Sequence, residues 1–116
     1  MSGRGEMTET KIYIGLNDAF TLRQEHETER YIGILKNVCR SYGIPFSFSL
    51  AQGGYIHENG EYTQENTLVI SLIEVDEDTV NEVAKDLCAF FHQESVMITQ
   101  GTVDTYFISE SLINEE

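Results

Sequence analysis

The order in which the hydrophobic period changes along the chain is the feature that most limits its fold. Apolar residues first alternate with polar ones, as in a strand that buries one face, and then recur every three to four residues, as in an amphipathic helix. The full series is strand, helix, strand, strand, helix, strand. The strand-like segments begin at Lys11, Phe46, about Glu61 and about Ser95, and the helix-like segments begin at Thr21 and Asp76. This order predicts a mixed α+β architecture.

Capping signals mark the predicted helix boundaries. Thr21 followed by Gln24 has the spacing of a capping box, and Gly43 two residues before Pro45 is typical of a helix end. The acidic run that opens at Asp76 suits the positive end of a second helix dipole. We therefore expect one helix between Thr21 and Gly43 and another that opens at Asp76.

An Asn59-Gly60 pair between the second and third strands indicates a tight hairpin turn. A two-residue turn at this point would place Phe48 opposite Ser71, which mixes apolar and polar faces. One bulged residue would bring Phe48 opposite Ile70 instead, and the sequence predicts that bulge at Gly53-Gly54, where glycine tolerates it. Residues 54–65 beyond the bulge should form a polar two-stranded arm.

The element order βαββαβ predicts a ferredoxin-like α+β fold. In this fold an antiparallel sheet carries both helices on one face, and here a long hairpin arm between the second and third strands projects from it. We expect a single domain over residues 11–108, in which the last strand either continues through Gly101 or folds back there. Residues 1–10 are expected to be disordered, with 1–6 a candidate expression remnant before Met7, and 109–116 to form an acidic tail.

The net charge of −13 is concentrated in the later part of the chain. Up to Arg40 six basic residues balance six acidic ones, whereas fourteen acidic residues after it are accompanied only by Lys85. A surface this negative repels phosphate backbones and anionic lipids, so direct nucleic-acid binding and membrane binding are not expected. A basic protein partner and a small ligand held by local donors are both compatible with the charge.

The cysteines and histidines form no recognisable metal or redox motif. Cys39 and Cys88 lie on the apolar faces of the two predicted helices, and no two of His26, His57 and His92 have metal-ligand spacing. With no secretory signal and no apolar run of membrane-spanning length, the sequence predicts a cytoplasmic protein with buried free thiols, no metal and no cofactor.

One face of the predicted sheet has no helix to cover it. The alternation assigns to this open face Tyr13, Ser47, Ser49, Val69, Ser71, Ile73, Met97 and Thr99. Half of these residues are apolar or aromatic, and an exposed apolar patch usually marks an interface. We predict a homo-oligomer with Val69, Ile73 and Met97 in the interface, and the projecting arm supports this because an isolated two-stranded ribbon is marginally stable.

A candidate ligand site combines residues of the arm, the open face and the turn after the second helix. Its members are Tyr13, Tyr55, His57, Tyr62, Glu65, Gln93, Glu94 and Ser95. Residues 93–95 either satisfy backbone groups at a helix-to-strand connection or bind a ligand. Glu65 is either an exposed strand acid or a carboxylate that accepts hydrogen bonds from a ligand or from the turn at 93–95. The sequence contains no nucleophile elbow and no phosphate-binding loop, so no catalytic residue is assigned.

Three short motifs carry a resemblance to a known family. They are Tyr13-Ile14-Gly15-Leu16, Gly53-Gly54-Tyr55 with Glu65 after the turn, and Gln93-Glu94-Ser95-Val96. Together they resemble an uncharacterised family of small bacterial proteins, a domain of unknown function, over nearly the whole domain. The resemblance implies the same ferredoxin-like fold and no particular activity, and Tyr55 stands where that family usually has tryptophan.

Three classes of function are compatible with these features. The first is a non-catalytic, homo-oligomeric protein that holds or sequesters a small polar ligand. The second is an acidic protein-binding inhibitor or nucleic-acid mimic, of the kind that mobile elements use against host defence, which the one-sided charge favours. The third is a small ferredoxin-like enzyme that uses His57, Glu65 or Glu94 in acid–base chemistry.

Overall fold

The computed structural model describes residues 4–56 and 59–110, except for the side chains of Arg4 and Tyr55. Its elements are β1 (Arg4–Gly15), α1 (Thr28–Ser41), β2 (Ser47–Ile56), β3 (Tyr62–Ile73), α2 (Glu77–Phe91) and β4 (Met97–Tyr106). The strands form one antiparallel sheet in the order β2-β3-β1-β4, and both helices pack on the same side. The predicted ferredoxin-like α+β fold is thereby confirmed.

The core lies between the sheet and the two helices, where the predicted apolar faces meet. Ile12 of β1 and Ile70 of β3 are fully buried side by side, and the ring of Tyr31 packs edge-on against Phe91 with 5.0 Å between centroids. Cys39 is buried as a free thiol, and burial raises its pKa to about 11. The periodicity of β1, β3, α1 and α2 therefore identified their buried faces correctly, whereas Leu50 of β2 and Ile98 of β4, which were predicted to face inward, are exposed.

The β2–β3 pairing has the expected register but lacks the predicted bulge. Phe48 lies opposite Ile70, and the pairing continues without interruption to Ile56 opposite Tyr62. The bulge at Gly53-Gly54 was therefore a wrong prediction. Five residues separate Ile56 from its partner Tyr62 in the chain, and this odd number gives the observed register without an extra residue in either strand.

The predicted arm is present, and a second two-stranded extension lies at the opposite end of the sheet. Residues 52–56 and 62–66 pair beyond the end of β1 and form the arm. At the other end, residues 4–8 of β1 pair with residues 102–106 of β4 beyond the end of β3. These extensions account for the elongated shape, which measures 62 Å by 34 Å by 26 Å.

The first strand is longer than the sequence indicated. β1 begins at Arg4, so the expected disorder over residues 1–10 was wrong for residues 4–10, and β4 continues straight through Gly101. No helix or sheet among the described residues covers either face of residues 4–8. Their sequence therefore lacks the alternation of apolar and polar residues that marks a half-buried strand. Glu74 fastens it, because its backbone N–H donates to Thr8 O at 2.9 Å and its carboxylate accepts from Thr8 N at 2.8 Å. Residues 1–3 and 111–116 lie outside the described residues.

The first helix begins later than the capping box suggested. α1 starts at Thr28, and Thr21 and Gln24 lie in the preceding loop. The side chain of Gln24 instead reaches forward and donates to Thr28 Oγ1 at 3.1 Å. The second helix does begin as expected, since the side chain of Asp76 accepts a hydrogen bond from Thr79 N at 3.0 Å.

The N-terminal extension of β1 can be tested by hydrogen exchange. We expect the backbone amides within residues 5–8 that pair with β4 to exchange about tenfold more slowly, or slower still, than those of Ser109 and Glu110, which belong to no strand. NMR-detected exchange on the intact chain measures both groups in one sample. Equal rates would show that this part of β1 is not a stable strand.

Candidate functional site

A cavity of about 400 Å³ lies where β1 ends and β4 begins. One wall is the loop that follows β1, the opposite wall is the α2–β4 connection, and Glu65 of β3 lies between them. The lining residues are Asn17, Asp18, Ala19, Leu22, Glu65, Gln93, Glu94 and Ser95. The structure thus brings together four residues of the predicted ligand site that are distant in sequence: Glu65, Gln93, Glu94 and Ser95.

Glu65 is held in place by a backbone donor and by a glycine. One carboxylate oxygen accepts a hydrogen bond from Asn17 N at 3.0 Å. The carboxyl group lies so close over Gly15 that a Cβ at that position would overlap it. Gly15 was not among the predicted site residues, although a glycine inside a strand often marks a close approach of another group. Glu65 is therefore a hydrogen-bonded, positioned carboxylate rather than a free strand acid.

Gln93 connects the two walls of the cavity. Its side-chain amide donates a hydrogen bond to Asn17 O, and next to it Ala19 N donates to His92 O at 2.9 Å. Gln93 therefore has the structural role that was one of its two predicted alternatives. Glu94 and Ser95 are exposed, and neither side chain has a hydrogen-bond partner among the described residues, which leaves both available to a ligand.

Asp18 organises the loop that forms the first wall. Its Oδ1 accepts from Phe20 N at 2.8 Å and from Thr21 N at 3.2 Å, and its Oδ2 lies 3.0 Å from His92 Nδ1. These backbone donors, with a smaller contribution from His92, lower the pKa of the Asp18 carboxyl below its usual value. Asp18 was not among the predicted site residues, although an Asn-Asp pair shortly after a strand is typical of a side-chain-stabilised turn.

A second, smaller cavity of about 250 Å³ lies at the base of the arm and is lined mainly by side-chain amides. Its lining residues are Asn17, Gln24, Gln52, Gln64, Glu65 and Asn66. Asn66 Nδ2 donates to Gln24 Oε1 at 2.9 Å, which fastens the arm to the loop before α1. This cavity, called the amide cavity below, adjoins the cavity of about 400 Å³ through Asn17 and Glu65, which line both.

The remaining residues of the predicted ligand site lie elsewhere. Tyr13 is half-buried on the open face between Val69 and Met97, and it does not line the cavity of Glu65. Tyr62 is exposed on the arm and packs over Gly54 instead. Tyr55 belongs to β2, but its side chain is outside the description, and His57 lies outside the described residues. The membership of His57 in the ligand site therefore stays a prediction.

The charge of the main cavity is strongly one-sided. Asp18, Glu65 and Glu94 are acidic, and none of the described residues that line it is a lysine or arginine. We call it the acidic cavity. Within residues 4–56 and 59–110, no group of three or more His, Cys, Asp or Glu side chains is arranged to hold a metal ion. Neither of the two described helices has the length and apolarity needed to cross a membrane.

Comparison with known proteins identifies structures that share this fold. The chain matches no family model and no curated protein. An apo structure of a phage SAM lyase superposes with a TM-score of 0.65 at 21% identity, over 93% of this chain and 94% of that one. The same kind of enzyme in complex with S-methyl-5'-thioadenosine gives a TM-score of 0.64 at 20% identity, over 92% and 93% of the two chains.

Two other similar structures belong to different proteins. GlnK from B. subtilis, solved as an ATP complex, has a TM-score of 0.55 at 18% identity, over 84% of this chain and 82% of that one. CutA from Synechococcus elongatus has a TM-score of 0.57 at 11% identity, over 90% and 83%. At these identities the comparisons establish the ferredoxin-like fold, a fold that in at least two of these proteins was solved with a small molecule bound.

The contact between Gly15 and Glu65 can be tested by substitution. In Gly15→Ala the added methyl group should push the Glu65 carboxyl away and break its hydrogen bond to Asn17 N. We expect a clear change in the NMR chemical shift of the Asn17 amide proton. The melting temperature should change little, because only the end of a flexible side chain has to move.

Gly33→Ala is the matched control, since no heavy atom lies within 4 Å of a Cβ at that position in α1. It should leave the Asn17 amide unchanged and stabilise the helix by about 0.5–1 kcal/mol. If the Asn17 amide resonance in Gly15→Ala is the same as in the wild type, Gly15 does not position Glu65.

Proposed function

We propose that the protein binds S-adenosylmethionine in the acidic cavity and cleaves it to S-methyl-5'-thioadenosine, as a SAM lyase. The observation that carries this proposal is the charge of the cavity, which is lined by three acidic residues and by no described lysine or arginine. S-adenosylmethionine bears a sulfonium and an ammonium group against one carboxylate, so its net charge is positive. Such a site attracts a cation of this kind.

The negative charge of the acidic cavity also favours one of the ligands bound in proteins of similar fold over the other. ATP, which is bound in the similar GlnK structure, presents a triphosphate that needs lysine, arginine or several free backbone donors. The acidic cavity would repel it. The phage SAM lyase, in contrast, matches this chain over nearly the full length of both, and one of its structures contains S-methyl-5'-thioadenosine.

The proposed reaction needs no water and no cofactor. The carboxylate oxygen of the substrate attacks its own γ-carbon, the bond between that carbon and sulfur breaks, and the electron pair stays on sulfur. The products are a neutral thioether and a lactone, and no proton is gained or lost. Since both reacting groups belong to one molecule, the site accelerates the step mainly by folding the substrate into the reactive conformation.

Glu65 is the residue best placed to orient the substrate. Its carboxylate is fixed by Asn17 N and Gly15, so it can hold the substrate ammonium group in one position. A carboxylate directly against sulfur would stabilise the substrate more than the transition state, because the positive charge on sulfur disappears as the bond breaks. The thioether product carries no charge, and the acidic cavity should therefore release it more readily than it releases the substrate.

A non-catalytic binding protein is the alternative that uses the same cavity. In that case the carboxylates would hold a small cationic ligand without turning it over. The likeness to GlnK, which was solved with bound ATP, favours such a role for the fold in general. Binding without product formation would distinguish this alternative from the lyase.

The lyase proposal is tested by incubating the purified protein with S-adenosylmethionine and measuring S-methyl-5'-thioadenosine by chromatography. We expect turnover by the wild type and a rate about 100-fold lower for Glu65→Gln, which keeps the shape of the side chain but loses the charge that orients the substrate. Glu61→Gln is the matched control, because Glu61 is an exposed acid directly before β3 and lies outside the cavity.

Two results would contradict the lyase proposal. Tight binding of S-adenosylmethionine with no product would leave the non-catalytic binding protein. If isothermal titration also detects no binding, the assignment of the acidic cavity to this ligand is wrong.

We further propose that the open face of the sheet joins copies of this chain into a homo-oligomer. The register places Tyr13 between Val69 on β3 and Met97 on β4, so these three side chains form an apolar row across the sheet. Met97 is 57% exposed and Ile73, near the end of β3, is 39% exposed. An apolar row without a covering layer is typical of an interface.

Met97→Lys should convert the oligomer into monomers, because it places a charge in the apolar row. Native mass spectrometry or light scattering after gel filtration reports the change in mass. Thr102→Lys, on the same strand but away from the row, should leave the assembly intact. An unchanged mass for Met97→Lys would place the interface elsewhere.

A further inference from the structure

We infer that the adenine ring of the substrate lies in an adjoining cavity of about 290 Å³, between Phe20 and the last turn of α2. This inference rests on the proposed function and assigns a place to the base. The cavity is bounded by Ala19, Phe20, Cys88, Ala89, Gln93 and Glu94, together with the helix-ending His92. It is called the apolar cavity below.

The apolar cavity adjoins the acidic one. Ala19, Gln93 and Glu94 line both, so a single ligand can extend from one into the other. S-adenosylmethionine has two parts that match the two cavities. Its flat base has apolar faces, and ribose joins this base to the charged sulfonium and amino-acid group. A base in the apolar cavity would leave the charged group beside Glu94 and Glu65.

The exposure of Phe20 is what points to a ligand at this place. Its side chain is 90% exposed, the highest value among the large apolar side chains of the described residues. Its backbone is nevertheless fixed, because Phe20 N donates to Asp18 Oδ1 at 2.8 Å and the adjacent Ala19 N donates to His92 O. An aromatic ring held at the surface by a hydrogen-bonded loop is suited to stacking on a base.

The amide cavity is the competing position for the base. Asparagine and glutamine can recognise the hydrogen-bonding edge of adenine. Here, however, the amides of Gln24 and Asn66 already bond to each other at 2.9 Å, and Gln24 Nε2 also donates to His26 O and Thr28 Oγ1. A base would have to break these bonds to use those amides, whereas stacking on Phe20 breaks none.

Isothermal titration with two fragments of the substrate measures binding to each cavity independently. S-methyl-5'-thioadenosine carries the base without the charge, and S-methylmethionine carries the sulfonium amino acid without the base. Phe20→Ala should weaken binding of S-methyl-5'-thioadenosine on the order of tenfold, the typical loss of one aromatic stacking partner. Binding of S-methylmethionine should be unchanged, and Phe20→Tyr should restore the affinity for the thioadenosine.

Phe107→Ala is the matched control, since it removes an exposed phenyl ring that borders neither cavity. Three results would overturn the inference while the proposed function stands: unchanged thioadenosine binding in Phe20→Ala, a loss in Gln64→Ala instead, or a wild type that binds S-methylmethionine but not the thioadenosine. A wild type that binds neither fragment nor S-adenosylmethionine would refute the proposed function, and the inference with it.

Discussion

The candidate site depends on the hydrogen bonds that join the start of the β1–α1 loop to the end of α2. Ala19 N donates to His92 O, Asp18 Oδ2 pairs with His92 Nδ1, and the Gln93 amide reaches Asn17 O. Asp18 is buried, and its remaining oxygen holds the turn that carries Phe20. These bonds connect segments more than 70 positions apart in sequence. They also form a wall that the acidic cavity and the apolar cavity share.

Most of the fold followed from the sequence because burial imposes a local period on each element. The faces of Ile12, Ile70 and Leu87 could be identified before any contact was known. Three local features could not be identified. The loop before α1 is held by the side chain of Asp18, the N-terminal part of β1 buries neither face, and β2 pairs with β3 in the expected register without a bulge. In each case tertiary or loop geometry outweighs a short-range signal.

The candidate site was predicted in part, for a similar reason. Glu65 could be identified because it is a charged residue within a strand, and residues 93–95 because they form a polar connection between a helix and a strand. The role of Gly15 depends on the position of another side chain, and that of Asp18 on a histidine 74 positions away. Neither relation has a period or a spacing, so only the folded chain shows them.

His92, which ends α2, has a backbone conformation that favours glycine and a side chain that the loop contact requires. His92 adopts a left-handed conformation with φ of 54°, which glycine would accept at lower conformational cost. A glycine would keep the backbone oxygen that receives Ala19 N but would leave Asp18 Oδ2 without its imidazole partner. The conformational cost of a left-handed histidine is therefore accepted at the end of α2, because its imidazole links this helix to the β1–α1 loop. Replacing His92 with glycine would relieve the strain but would remove that link.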